Sequence, residues 1–265
     1  VTRFIDRLKA VIKAAHAGPT AVVTLISYLL VSRLAPQPKA LAIALTVFLG
    51  QLIVGWSNDL IDFPKDGAAD RTEKPLVNGA ITFQSLRTTL FVDLPAVTAL
   101  SLFGPMGFKA GACHLLAIGC AVSYNFYFKR TIFSWLPYAI SFALLPTTML
   151  IATNRPVRLW IVIAGAALGI AASFANVVKD VESDRVTGIL GAPQRIGEKN
   201  SRIVSVLSLM LVATLLTQQV HGFVIWVASL FASSLVLFGP KKLVFPVLMA
   251  LAVIDVSLLL QTISK

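Results

Sequence analysis

Apolar stretches of roughly 20 residues follow one another along the chain, parted by short loops that hold most of the charge. Each stretch is long enough to cross a hydrocarbon core of about 30 Å as a helix. A soluble globule cannot bury so many of them. Only 13% of the residues are charged and the mean hydropathy is +0.82, against about 25% charged residues in an ordinary soluble domain. Backbone that crosses lipid must satisfy its own hydrogen bonds, and a helix does so within one segment. The sequence therefore predicts an all-α, polytopic membrane protein. About nine transmembrane helices around a central cavity are expected, near 19–34, 40–63, 83–103, 109–127, 133–153, 157–178, 203–219, 222–238 and 243–262. Residues 1–265 read as one transmembrane domain.

Residues 1–17 read as an amphipathic helix on the membrane face. Arg3, Arg7, Lys9 and Lys13 stand against Phe4, Ile5, Leu8, Val11 and Ile12. Gly18 and Pro19 part it from the first span. No apolar core of a cleavable signal lies in this stretch, so no signal peptide is expected.

The net charge of +11 would fit a nucleic-acid partner on a soluble domain, but here the cations lie between apolar spans. Four precede the first span, then four, two, five and two follow spans two, four, six and eight, 17 of the 23 lysines and arginines. That asymmetry predicts a plasma-membrane protein with the N-terminus and the even-numbered loops in the cytoplasm, and no nucleic-acid partner. Cys113 and Cys120 lack paired spacing, and His16, His114 and His221 lack ligand spacing, so no zinc site is expected.

The acids are less evenly spread. Of 12, nine fall in two places, Asp59–Glu73 and Asp180–Glu198. The first reads NDLIDFPKDGAAD, with Asn58, Asp62, Asp66 and Asp70 four apart; the second reads NVVKDVESD, with Asn176, Asp180 and Asp184 four apart. On a helix, residues four apart share a face. Each motif thus presents a row of one amide and several carboxylates, although Pro64 is expected to interrupt the first helix. Like charges at this spacing repel. A hard divalent cation that bridges carboxylates to phosphate oxygens, such as Mg2+, relieves that repulsion. Arg71, Lys74, Lys129 and Arg130, with Lys179, Arg185 and Arg195 near the second motif, are candidates to offset a leaving diphosphate. A diphosphate on an isoprenoid tail fits a charged mouth above an apolar bundle. Trp56, just before the first motif, is expected to wall a prenyl tunnel.

NDLIDFPKDGAADRTEKPLVNG resembles the first aspartate-rich motif of the UbiA superfamily of intramembrane prenyltransferases, and NVVKDVESD its second. Nine helices with motifs after the second and sixth are that family's layout, and His16-Ala17-Gly18-Pro19-Thr20 resembles the opening of small actinobacterial members. The resemblance implies Mg2+ between the two motifs, held by Asn58, Asp62, Asp66, Asp180 and Asp184, and prenyl transfer from a prenyl diphosphate to a small-molecule acceptor, expected to be aromatic. It implies catalytic roles for Asp62 and Asp180, diphosphate contacts from Asn58, Asn176, Arg71, Lys74 and Lys129, and a place beside the reacting carbon for Tyr124. The family often spaces that tyrosine and lysine by four, whereas Tyr124 and Lys129 are five apart, so Asn125 competes for the position. Two other readings stand beside transfer. One is a terpene cyclase of the same family, acting without an acceptor. The other is a transporter or channel using the intramembrane acids Asp93 and Asp255.

Overall fold

The computed structural model describes residues 2–186, 188–219 and 222–263, which are helical apart from short connections and contain no strand. Eleven α-helices are described. A short α1 (Thr2–Ala14) is followed by α2 (Ala17–Ser32), α3 (Gln37–Ala68), α4 (Phe83–Phe103) and α5 (Phe108–Phe126). A 3-10 turn (Phe128–Arg130) leads to α6 (Leu136–Ala152) and α7 (Leu159–Val177); a short α8 (Val181–Val186) then precedes α9 (Ala192–Thr217), α10 (Phe223–Phe238) and α11 (Lys241–Ile263). Among the described residues, nine helices of at least 16 residues stand where the nine apolar runs were read. Four of them are long and apolar enough to span a membrane outright, and a fifth if α1 and α2, bent by 74°, are one broken span.

Helix α3 has 32 residues, about 48 Å at 1.5 Å per residue. Some 20 residues suffice to cross the hydrocarbon, which leaves α3 about three turns to spare, and its last three turns carry the first acidic motif. Pro64 lies inside α3 without ending it, contrary to the expected interruption. The helix runs to Ala68, and Asp66 stays on it. It closes with Asp70 left-handed (φ 48), the Asp70 amide on the Gly67 carbonyl and the Arg71 amide on the Asp66 carbonyl at 3.0 Å. This paired closure uses up the last carbonyls of a helix.

The second motif departs from its expected single row. Helix α7 ends at Val177, Asp180 lies in the turn that follows, and Asp184 lies on α8. The α8 end repeats the first closure: the Gly188 amide meets the Arg185 carbonyl, and the Ile189 amide meets the Asp184 carbonyl at 2.9 Å, with Gly188 left-handed. Asp66 and Asp184 thus hold the same position, third from the last residue of a helix. Carbonyls concentrate there, and a carboxylate is disfavoured unless cations join it.

Small residues set the close approaches. A Cβ on Gly169 would stand 2.4 Å from the Tyr138 carbonyl oxygen, and one on Gly165 would stand 2.6 Å from that of Phe142. Without a hydrophobic drive between spans in lipid, such backbone proximity holds α6 to α7. Helix α9 begins at Ala192, earlier than the predicted span at 203, and bends at Gly197 (φ 83). Its first turns form an approach segment that carries Gln194. Helix α1 buries Ala10 and Ala14 on α3 and leaves Leu8 and Ile12 exposed beside Lys9 and Lys13. Trp56, expected along a tunnel, is instead 3% exposed in the α1–α3 core. Its indole donates to the Val11 carbonyl at 2.9 Å.

Candidate active site

The ends of α3 and α8 meet across a gap that long cationic side chains bridge. Lys65, on α3, donates to Asp184 at 2.9 Å. Arg71, carried back over α3 by the closure at Asp70, donates to Asp66 at 3.1 Å and stands 3.9 Å from Asp180. Burial alone would lower the Arg71 pKa, but Asp66, Asp180 and Glu73 outweigh it and raise it. Burial pushes the Asp180 carboxyl above the usual carboxylate range; Asp184 adds to this, while Lys179, Arg71 and Lys65 act against it. The two motifs, 118 residues apart in sequence, thus form one electrostatic unit.

Two further cations serve the first row. Lys129, buried on the 3-10 turn after α5, pairs closely with Asp62. Lys74 donates to Asp59 at 2.5 Å and stands 3.9 Å from Asp66. Asn58 donates to Asp62 at 3.2 Å and to the Asn125 side chain at 3.1 Å. Asn125 in turn donates to the Val54 carbonyl and the Ser57 hydroxyl, each at 3.1 Å. Asn125 therefore joins α5 to the first motif.

Tyr124 takes a different place. Its ring meets Tyr138 edge-on at 5.0 Å, and Tyr138 stacks near Phe142 at 6.3 Å. Asn176, expected beside the diphosphate, donates to the Tyr138 hydroxyl at 3.3 Å. It ties the second motif to this aromatic wall. Through Asn176, and through Asn125 next to Tyr124 in sequence, the wall borders both motifs.

Some candidates stay apart. Arg130 is exposed; Lys179 is exposed too, but its charge acts on Asp180. Arg185 donates to the Gln194 carbonyl at 2.6 Å and Arg195 to the Leu190 carbonyl at 2.8 Å, so both brace the α8–α9 loop. Asp70 is exposed at the turn. Asp93 and Asp255 each keep one buried carboxyl oxygen without a hydrogen bond among the described residues, and they lie on different helices, α4 and α11. His221 lies outside the described residues. Crevices of about 420 Å³ between α9 and α10 and about 450 Å³ between α2 and α3 contain no residue of either aspartate row.

Sequence reasoning did not single out Lys65, Asp59, His16 or Gln194. Gln194, 2% exposed, donates to Asp184 at 2.9 Å. Its signal was absent because only the loop closure at Gly188 brings α9 back to α8. Asp59 stood in plain view inside the motif but falls off the four-residue row.

Among the described residues, no three His, Cys, Asp or Glu side chains stand together as a ready cage for an ion. Each row is held instead by Lys65, Arg71, Lys74 and Lys129. The donors are nonetheless hard oxygens, the kind that Mg2+ prefers. The cations beside them have the chemistry to take phosphate oxygens in exchange.

The UbiA prenyltransferase family model matches residues 20–253. The fold is similar to that of a UbiA homolog from Aeropyrum pernix K1 in its apo form, at 15% identity over 93% of this chain and 98% of that one, with a TM-score of 0.75. It is similar to a UbiA homolog from Archaeoglobus fulgidus bound to GPP and Mg2+, at 17% identity over 94% and 99% of the two chains, with a TM-score of 0.70. A structure of digeranylgeranylglyceryl phosphate synthase is also similar, at 15% identity over 99% and 98%, with a TM-score of 0.66. No curated protein sequence matches the chain.

Proposed function

The chain belongs to the UbiA prenyltransferase family, and on that premise we propose that it transfers an isoprenoid group from a prenyl diphosphate to a small-molecule acceptor within the membrane, with Mg2+ assisting release of diphosphate. The observation that carries this reading is the bridged pair of acidic motifs. Lys65 and Arg71 span from one to the other, as a shared anionic substrate would require. The Archaeoglobus fulgidus homolog bound to GPP and Mg2+, and the same homolog bound to DMAPP and Mg2+, support the substrate class.

Asn58, Asp62, Asp66, Asp180 and Asp184 would hold Mg2+. Bound there, the ion would neutralise charge on the departing diphosphate. Five carboxylates (Asp59, Asp62, Asp66, Asp180 and Asp184) face four permanent cations (Lys65, Arg71, Lys74 and Lys129). This balance keeps the site folded without substrate. When substrate arrives, the amines and the guanidinium exchange carboxylate oxygens for phosphate oxygens. Such preorganised donors stabilise charge as the allylic C–O bond loosens. Tyr124, backed by Tyr138, offers its ring face to the positive carbon.

We place the protein in the plasma membrane with lipid around it, its N-terminus and both motifs on the cytoplasmic side, as the cation asymmetry directs. Mass spectrometry of products tests the reaction. Purified protein given geranyl diphosphate, Mg2+ and a panel of aromatic acceptors should yield a prenylated acceptor. A cyclic hydrocarbon formed without any acceptor would replace transfer by cyclisation.

A further inference from the structure

One face of α3 serves as the seat of the N-terminal segment. A Cβ on Gly55 would stand 2.4 Å from the Ala15 carbonyl oxygen. Trp56, next to it, donates to Val11 at 2.9 Å. One turn further on, Asp59 Oδ1 meets His16 Nε2 at 3.0 Å. His16 sits at the break between α1 and α2 in a left-handed conformation (φ 53), and the Thr20 hydroxyl ties the break down by donating to Ala15 at 2.7 Å.

Asp59 is 2% exposed. Its Oδ1 takes both His16 and Lys74, the latter at 2.5 Å. A carboxylate so buried needs both donors. On the helix, Asp59 is turned about 100° from Asn58 but only about 20° from Asp66, seven residues on, so Asp59 and Asp66 share the face that Lys74 reaches. Lys74 reaches from Asp59 towards Asp66, 3.9 Å away. A lysine ammonium on a flexible stem has no fixed direction of its own; here the buried carboxylate supplies one.

We propose that His16 and Asp59 are positioning residues of the active site: His16 orients the Asp59 carboxylate, which holds the Lys74 ammonium beside Asp66 for the substrate diphosphate. The assignment rests on the prenyltransferase reading for the role of Lys74. It makes the junction of α1 and α2 a working part of the site, through a side chain outside both acidic motifs.

Two substitutions separate this role from a backbone one. Asparagine suits a left-handed backbone, but its amide is too short to reach Asp59. Glutamine places an N–H donor near the position of histidine Nε2 and has no such backbone preference. The full chain in detergent is treated with acetic anhydride, and acylation of Lys74 is followed by mass spectrometry; KM and kcat for geranyl diphosphate are measured in parallel. His16→Gln should match the wild type in both. His16→Asn should acylate Lys74 about tenfold faster and raise KM about tenfold with kcat within about twofold, the loss of one charge-assisted hydrogen bond to the binding group. The reverse pattern, with Asn sound and Gln impaired, would overturn the assignment, as would equal acylation of Lys74 in all three proteins. If the wild type fails to turn over geranyl diphosphate, the proposed function falls, while the acylation pattern still decides what His16 does to Lys74.

Discussion

Lys65 and Asp184 lie 119 residues apart in sequence, and the lysine ammonium meets the aspartate carboxylate at 2.9 Å. The contact joins the helix of the first acidic motif to the short helix of the second. Both side chains are partly accessible, at 31% and 15%, so the pair contributes little to stability. Lys65→Met should change the unfolding free energy by less than about 1 kcal/mol. It should slow diphosphate release at least tenfold, roughly, because a bridging cation is lost from the site. Thermal unfolding in detergent and a diphosphate-release assay read the two effects separately.

Lys129 and Asp62 behave otherwise, since the lysine side chain is only 6% exposed. Asp62→Leu alone leaves a buried ammonium without its partner and should destabilise the protein by about 3 kcal/mol. Pairing it with Lys129→Met removes the orphaned charge. The double variant should recover most of the lost melting temperature and remain inactive.

Asp70 continues the four-residue series but sits exposed at a left-handed turn (φ 48). Glycine takes that conformation without steric cost. Asp70→Gly should keep the turnover rate and hold or slightly raise the melting temperature, whereas Asp66→Asn, one turn back on the helix, should lose activity. Equal losses in both would place Asp70 in the site.

Gly169 and Gly119 offer a matched test of the packing that sets the aromatic wall. A methyl at Gly169 would press on the Tyr138 backbone at 2.4 Å, while one at Gly119 meets nothing within 4 Å. Gly169→Ala should cost about 1–3 kcal/mol and disturb the Tyr124–Tyr138 contact. Gly119→Ala should be neutral or slightly stabilising through helix propensity. Melting curves of the two variants check the difference.

The positions of the long helices were legible because crossing lipid demands length and apolarity, and both are written along the chain. The acidic rows were legible because a repeat such as Asn58–Asp62–Asp66 with Asn176–Asp180–Asp184 has no simpler origin. Local backbone was harder to read. Pro64 lies late in α3, where the proline costs one hydrogen bond and the remaining turns hold. The break fell instead at Val177, between Asn176 and Asp180, with no proline to mark it. Lys65 and His16 were hidden for another reason. Their partners, Asp184 and Asp59, are supplied by tertiary contact, which spacing along one helix cannot reveal. Trp56 read as a tunnel residue from its neighbours in sequence, but the seat it fills belongs to α1.

On this account both acidic motifs grip one diphosphate through Mg2+. The direct measurement is the rate of diphosphate release from geranyl diphosphate by purified wild type, Asp62→Ala and Asp180→Ala, each with Mg2+ and with excess chelator. Release by the wild type only with Mg2+, and loss of at least about a hundredfold in each variant, is the predicted result. Wild-type rates in both variants, or release that ignores the chelator, would contradict it.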